Sequence, residues 1–160
     1  VLQRCQLDAV VRQTVRKYAK LFILKKIQLV FQETKWEVLS DEKWLCFILN
    51  QLISNAVKYR RDPPVLTFRA VRNQDTLTLS LQDNGIGIDA RDLPRIFDKG
   101  FTGQNGRRSA PNATGLGLYL CKRLCDKLDI GLQAQSSPAG TTLSLTFRIN
   151  DFIHGVQGPL

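Results

Sequence analysis

The chain has 160 residues, of which 43% are hydrophobic and 23% charged, a composition typical of one globular domain with a sizeable core. Its longest apolar runs, such as residues 21–24, are far too short to span a bilayer, and residues 1–20 show no signal-peptide pattern. The formal net charge of +9 suits an anionic partner such as nucleotide phosphates, an acidic protein or a membrane surface; because no nucleic-acid-binding module is recognisable, we expect no nucleic-acid partner.

The sequence pattern of the N-terminal third predicts a helix followed by two strands. Apolar residues at helical spacing predict a helix from Asp8, as its N-cap, to about Phe22. Alternation over residues 26–33 predicts a strand, and residues 36–39 a short partner strand. The inward side chains of the first strand are expected to be Ile27, Leu29 and Phe31. The chain begins without Met and contains none, so we expect it to be a piece of a larger protein.

A long helix is predicted next, capped by Ser40 and ended by the two prolines at 63–64. Its apolar stripe is expected to comprise Trp44, Phe47, Ile48, Leu52 and Val57. Two alternating strands follow at residues 65–72 and 76–82, and a short helix at residues 89–96.

The last third opens with residues 100–114, which are rich in Gly, Ser, Asn, Pro and Arg and are expected to be mobile. A helix is predicted from Gly115 to about Leu128, and residues 130–136 and 141–149 are expected to form an antiparallel pair. The order of elements predicts an α+β fold, a two-layer sandwich whose mixed, mainly antiparallel sheet is covered by helices on one face. We expect one domain over residues 1–150 and a tail at 151–160.

The cysteines show no C-x-x-C spacing. Cys121 and Cys125 lie one helical turn apart, but no second ligand pair lies nearby in the sequence, and His154 is the only histidine. Buried free thiols are therefore favoured over a metal site.

The long helix carries three polar residues at helical spacing, Gln51, Asn55 and Lys58. The Asn55 amide oxygen suits Mg²⁺, a hard cation that takes oxygen ligands and bridges phosphates, and Lys58 is placed to meet a phosphate oxygen. Asparagine is unfavourable in a helix interior, which favours a functional reason. The alternative is an ordinary polar surface near the end of a helix.

Residues 83–87, Asp-Asn-Gly-Ile-Gly, follow the second of the two central strands. The Asp83 carboxylate can accept a hydrogen bond from the exocyclic amine of adenine, where guanine presents an oxygen. Gly85 and Gly87 let backbone line a base pocket, and Tyr59 is a candidate to stack on the base. The alternative is an Asx-turn in a hairpin.

The junction at Gly115 and Gly117 precedes a predicted helix, whose free N–H groups and dipole favour a phosphate. A glycine N-cap is the alternative. Lys99, Arg107 and Arg108, on or beside the preceding segment, can supply positive charge to a γ-phosphate, or they form a solvated basic loop.

Four motifs in this order resemble the ATP-binding domain shared by sensor histidine kinases, type II topoisomerases, Hsp90 and mismatch-repair ATPases, the Bergerat or GHKL fold. Residues 55–59 (NAVKY) resemble the N box, residues 83–87 (DNGIG) the first glycine box, residues 95–101 (RIFDKGF) the F box, and residues 114–118 (TGLGL) the second glycine box. The resemblance implies a nucleotide site with a lid at about residues 98–114. The residues expected to bind ATP are Asn55, Lys58, Tyr59, Asp83, Gly85, Gly87, Ile88, Phe97, Lys99, Thr114, Gly115, Leu116, Gly117 and Leu118.

The resemblance further implies that Asn55 binds Mg²⁺ and that Lys58 and Lys99 act on the phosphates. Hydrolysing members of the superfamily carry a Glu one turn before this Asn, whereas this chain has Gln51, and an amide cannot act as a general base. Phosphoryl transfer to a protein is therefore favoured over a GHKL-type ATPase, with a non-catalytic nucleotide-binding module as a further alternative. Gln51 and residues 98–103 resemble the small intramembrane-sensing kinases linked to bacitracin and other peptide antibiotics.

The expected partners are a dimerisation domain that carries the phosphoacceptor His and a response regulator receiver domain. That dimerisation domain is not in this chain, and His154 follows the last predicted strand, at the wrong end. We therefore expect the chain to bind ATP and Mg²⁺ without phosphorylating itself. We expect the parent to be a membrane protein that is attached to the membrane through the part before Val1. This chain is then expected to be its cytoplasmic domain.

Overall fold

The computed structural model describes residues 1–102 and 116–149. The elements, in chain order, are β1 (Gln3–Gln6), α1 (Leu7–Arg16), α2 (Ala19–Leu24), β2 (Gln28–Phe31), β3 (Glu37–Ser40), α3 (Glu42–Lys58), β4 (Val65–Arg72), β5 (Thr76–Asp83), a 3₁₀ helix (Leu93–Arg95), α4 (Gly117–Lys127), β6 (Ile130–Ser137) and β7 (Gly140–Arg148). The predicted lid from residue 103 onward, the tail and His154 lie outside the described residues, as do Thr114, Gly115, Arg107 and Arg108.

The main sheet has five strands in the order β2-β4-β5-β7-β6. Only β2 and β4 are parallel, and the other three pairs are antiparallel. Inward-facing side chains alternate along the strands, as with Leu77, Leu79 and Leu81 of β5, and join the buried residues of α1, α3 and α4 in one core. The opposite sides of these strands carry mainly Ser, Thr, Gln and Arg. The predicted two-layer α+β sandwich is confirmed.

The N-terminal region differs most from the prediction. Strand β1 was not predicted, and it pairs antiparallel with β3, so the segment expected to partner residues 26–33 belongs to a separate two-stranded sheet. β2 pairs instead with β4. Only Cys5 of β1 is buried, which leaves little alternation for a sequence pattern to show.

The first predicted helix is divided into α1 and α2. The hydroxyl of Tyr18, at the break, lies 3.1 Å from the backbone oxygen of Asn50 and 2.9 Å from its Oδ1. Asp8 is not the N-cap, because α1 begins after Gln6. The buried Asp8 carboxylate instead accepts hydrogen bonds from the backbone N–H of Thr34 at 2.7 Å and from its hydroxyl at 3.0 Å.

The N-cap of α3 is Asp41, whose carboxylate accepts a hydrogen bond from the backbone N–H of Trp44 at 3.1 Å. Ser40, the predicted cap, is the last residue of β3 and is buried. The apolar stripe is also shifted, since Trp44 is 40% exposed. The buried residues of α3 are Leu45, Cys46, Ile48, Leu49, Leu52, Ile53, Ala56 and Val57. Residues 44–49 are all apolar, so their sequence does not show which side faces the core.

The remaining elements follow the prediction closely, with two corrections. The helix expected at residues 89–96 is only a 3₁₀ helix, with Pro94 in its first turn, and α4 begins at Gly117 rather than Gly115. Within the described ranges, no helix is long and apolar enough to cross a membrane.

Cys5, Cys46, Cys121 and Cys125 are buried free thiols, as predicted. Burial raises the pKa of Cys121 and of Cys125 to about 12. The described residues contain no cluster of three or more His, Cys, Asp or Glu side chains that could hold a metal.

Candidate functional site

A cleft opens between the C-terminal half of α3, the loop after β5, the 3₁₀ helix and the start of α4. Its first half is lined by Asn55, Tyr59, Gly87, Ile88, Asp89, Asp92, Ile96, Phe101, Thr102 and Leu118. Its second half shares several of these side chains and adds Gln51, Ser54, Lys58 and Gly117. The first half is the more apolar, and the second has polar groups from α3.

Asp83 ends β5 and is 9% exposed. Its Oδ1 accepts hydrogen bonds from the backbone N–H of Gly85 at 2.8 Å and of Thr141 at 3.1 Å. Burial raises the pKa of the Asp83 carboxyl, and these two hydrogen bonds partly offset that effect. Both hydrogen bonds that described residues make with the Asp83 carboxylate end on Oδ1, so Oδ2 has no hydrogen-bond partner among the described residues. Asp83 lies behind the cleft rather than among the residues that line it.

The loop after Asp83 is held against the β6–β7 hairpin. The Ser136 hydroxyl accepts a hydrogen bond from the backbone N–H of Ile88 at 2.7 Å and lies 2.9 Å from the hydroxyl of Thr141. Together with the bond from Thr141 to Asp83, these contacts fix one wall of the cleft. Ser136 and Thr141 were not predicted as site residues, because they lie about 50 positions from the loop and only the strand pairing brings them to it.

Close packing of the backbone explains the glycines of this loop. A Cβ on Gly85 would lie 2.3 Å from the carbonyl oxygen of Tyr59, and a Cβ on Gly87 would lie 2.2 Å from that of Ser137. Gly87 also has φ +77°, which favours glycine. The two glycines thus allow the loop to pack closely against the end of α3 and the hairpin. Gly87 also lines the cleft.

Asn84 is a structural residue. Its Oδ1 accepts a hydrogen bond from the backbone N–H of Val65 at 2.8 Å, and its Nδ2 donates to the carbonyl oxygen of Pro63 at the same distance. The Asn84 side chain therefore ties the loop to the start of β4, and the turn-forming character of Asp-Asn-Gly gives no sign of this contact.

The polar residues of α3 meet at the second half of the cleft. Gln51, Asn55 and Lys58 all line it, and Asn55 also lines the first half. No described residue forms a hydrogen bond with the Asn55 carboxamide, so its oxygen is available to a ligand. Among the described residues that line this half there is no carboxylate and no histidine. Tyr59, the C-cap of α3, borders both halves, and burial raises the pKa of its phenol.

The start of α4 faces these residues. Gly117 lines the second half and Leu118 lines both, whereas Leu116 is 39% exposed. A Cβ on Gly117 would lie 2.5 Å from the Oε1 atom of Gln51, so α4 begins in direct contact with the polar side of α3. The first N–H groups of a helix have no partner within the helix, which makes the second half the more suitable place for an anion.

The region of the third motif places different side chains at the cleft from those predicted. Ile96 and Phe101 line both halves, while Phe97 packs against the core and is not among the residues that line the cleft. The Arg95 guanidinium lies 4.5 Å from the centroid of the Phe101 ring. Lys99 also lies outside the lining, with its Nζ 6.0 Å from the ring centroid of Tyr119. The roles predicted for Phe97 and Lys99 stay predictions.

Comparisons with known proteins identify a family and relatives for this chain. Residues 40–151 match the family described as histidine kinase-, DNA gyrase B- and HSP90-like ATPases. The sensor protein BceS of Halalkalibacterium halodurans is 40% identical over 154 residues, which are 95% of this chain and 46% of that relative. The chain thus spans about half the length of the curated relatives it matches.

Solved structures share the fold at lower identity. The mycobacterial sensor histidine kinase MprB aligns with a TM-score of 0.80 at 19% identity, over 92% of this chain and 97% of that one. Histidine kinase ThkA, solved in complex with the response regulator protein TrrA, aligns with a TM-score of 0.76 at 14% identity, over 93% of this chain and 42% of that one. The chain therefore belongs to the family of histidine kinase-, DNA gyrase B- and HSP90-like ATPases, and it has the fold of the histidine-kinase catalytic domains.

Proposed function

We propose that this chain is the ATP-binding catalytic domain of a sensor histidine kinase. It binds ATP and transfers the γ-phosphoryl group to a histidine on a dimerisation domain outside the chain, from which the group passes to an aspartate of a response regulator receiver domain. The similarity to sensor kinases such as BceS supports this proposal and favours the subgroup of kinases that respond to peptide antibiotics.

The two halves of the cleft suit the two ends of ATP. The first half, with Tyr59, Ile88, Ile96 and Leu118, offers apolar and aromatic surface to adenine. Behind its wall, Asp83 Oδ2 is our candidate to accept a hydrogen bond from the exocyclic amine. The second half places Lys58 and the N-terminal end of α4, near Gly117, beside the phosphates.

Mg²⁺ is the metal we expect to accompany ATP. The Asn55 carboxamide lines both halves and has no hydrogen-bond partner among the described residues, so the donor type fits a hard cation. Bound there, the metal would neutralise phosphate charge. The contribution of this chain is then to position the γ-phosphoryl group and balance its charge, with Lys58 and Lys99 as the candidate cations.

The side chains that line the second half of the cleft favour phosphoryl transfer over ATP hydrolysis. Its described residues include Gln51, Asn55 and Lys58 and no side chain that can remove a proton from water at neutral pH. This lining favours an attacking group that is already nucleophilic, such as an imidazole, over water. We infer that phosphoryl transfer to a protein histidine is the reaction this site favours.

A hydrolysis assay tests this inference. The wild-type chain is expected to release phosphate from ATP no faster than a heat-denatured sample, and Gln51→Ala to behave identically. Gln51→Glu places a carboxylate beside Asn55, and we expect hydrolysis to rise about tenfold or more, since a positioned general base contributes about 10²–10⁴-fold. Clear steady-state hydrolysis by the wild type that is lost in Gln51→Ala would show an ATPase instead.

A further inference from the structure

A basic surface lies at the end of α1 and along α2, outside the nucleotide cleft. Residues 9–32 contain six Lys and Arg and no Asp or Glu. Arg12 is paired with Glu33 at 2.7 Å. The five other cations, Arg16, Lys17, Lys20, Lys25 and Lys26, are exposed. None of the ion pairs formed by the described residues includes any of these five.

Two large aliphatic side chains stand within this basic surface. Ile23 is 79% exposed and Leu24 is 73% exposed, whereas Phe22 beside them is buried in the core. They are flanked in sequence by Lys20, Lys25 and Lys26. Surface hydrophobic residues are ordinary when scattered singly, but here two adjacent ones project among unpaired cations.

The loop before β4 adds further positive charge near the same turn. The backbone N–H of Gln28 donates to the carbonyl oxygen of Pro64 at 2.9 Å, so the turn after α2 adjoins this loop. The loop carries Arg60 and Arg61, with Asp62 as its one acidic residue. The local charge therefore remains strongly positive.

We propose that this surface, formed by Arg16, Lys17, Lys20, Ile23, Leu24, Lys25 and Lys26, binds the anionic face of a lipid bilayer. The lysines and Arg16 would contact phosphate headgroups, and Ile23 and Leu24 would enter the boundary between headgroups and acyl chains. Charge complementarity indicates the anionic partner, and the exposed aliphatic pair between the cations favours a bilayer over a purely polar polyanion. This proposal is independent of the nucleotide site.

Vesicle sedimentation tests the proposal directly. The 160-residue chain is mixed with vesicles of phosphatidylcholine alone, or of phosphatidylcholine with phosphatidylglycerol, at low and at physiological salt. We expect binding to the anionic vesicles at least about tenfold tighter than to neutral ones, and weaker at higher salt because exposed charges are screened.

Two double variants and their matched controls locate the binding surface. Lys20→Gln with Lys25→Gln, and Ile23→Ser with Leu24→Ser, should each lower the partition onto anionic vesicles about fivefold or more, since each removes two interfacial contacts. The controls remove two cations or two aliphatic side chains at other exposed positions, Arg69→Gln with Lys127→Gln and Leu39→Ser with Val71→Ser, and should bind like the wild type.

Equal binding to neutral and anionic vesicles, no binding to either, or equal losses in the surface variants and their controls would each overturn the proposal. Binding that needs the two lysines but not Ile23 and Leu24 would also contradict it, because it would show a general polyanion site. Unfolding curves of all four variants confirm that the chains compared are folded.

Discussion

The Asp83→Asn variant is expected to bind ATP at least about 100-fold more weakly than the wild type while keeping its fold. Asn Oδ1 can still accept the hydrogen bonds from Gly85 and Thr141. Its amide, however, presents N–H donors in place of Oδ2, and these would face the donor amine of adenine. A hundredfold loss corresponds to about 3 kcal/mol, in the range for a polar group left facing the wrong partner in a buried site. Calorimetry with ATP and Mg²⁺ measures the loss.

The pH dependence of the unfolding free energy is the control for this variant, because it tests separately whether Asp83 is buried. Burial raises the pKa of Asp83 in the folded chain above its unfolded value of about 4. The protonated carboxyl therefore favours folding at acidic pH, and this contribution is lost as the pH rises through the raised pKa. Asn cannot ionise, so the unfolding free energy of Asp83→Asn relative to wild type should increase with pH over that interval. An unchanged ATP affinity would remove Asp83 from the site, and a relative stability that falls with pH would contradict its burial.

Gly140→Ala is expected to destabilise the domain strongly. Gly140 has φ +143°, and a Cβ there would lie 2.0 Å from the carbonyl oxygen of Asp83 and 2.9 Å from the Cα of Asn84. Both obstacles are backbone atoms, so the hairpin and the loop after β5 must separate. We expect a loss of about 3 kcal/mol or more in the free energy of unfolding, combining a strained conformation with overpacking. ATP binding should weaken as well, because Asp83 moves away from Thr141.

Gly131→Ala is the matched control, since it makes the same change in β6 of the same hairpin. The nearest atom to a Cβ at Gly131 is the Cβ of Thr146, at 3.5 Å, which is ordinary contact. Urea unfolding of the two variants side by side measures the difference. Equal losses in the two variants would show that the contact between Gly140 and the Asp83 loop contributes nothing particular.

The two central strands, β4 and β5, could be predicted from the sequence because their alternation is unambiguous. β4 was predicted with its observed bounds, and β5 within one residue. Which side of α3 faces the core could not be predicted, because an unbroken apolar run at residues 44–49 fits more than one orientation of the helix. β1 was missed because its pairing with β3 is a long-range contact that four mostly polar residues do not signal.

The candidate site was only partly predictable, because some of its contacts also join residues far apart in the sequence. Motif residues such as Asn55, Tyr59, Gly87 and Leu118 do line one cleft. Ser136 and Thr141, which hold the Asp83 loop in place, carry no local signal because their contacts cross between β-strand ends.

The packing contacts of the glycines could not be predicted from the sequence, for a different reason. They were expected to let backbone line a base pocket, and the structure adds that the atoms nearest to a Cβ on Gly85 and on Gly87 would be the backbone oxygens of Tyr59 and Ser137. A sequence shows that a glycine is present, and only the fold shows which atom lies against it.

The most direct test of the proposed function is a phosphotransfer assay in two parts. This chain is mixed with radiolabelled ATP, Mg²⁺ and a separately produced dimerisation domain of a similar sensor kinase, and the products are separated and treated with acid or alkali. We predict label on the dimerisation domain that is acid-labile and alkali-stable, as phosphohistidine is, and that disappears with Asn55→Ala or Asp83→Asn. ATP binding by the folded wild-type chain without any labelled acceptor, or label that persists in both variants, would contradict the proposal.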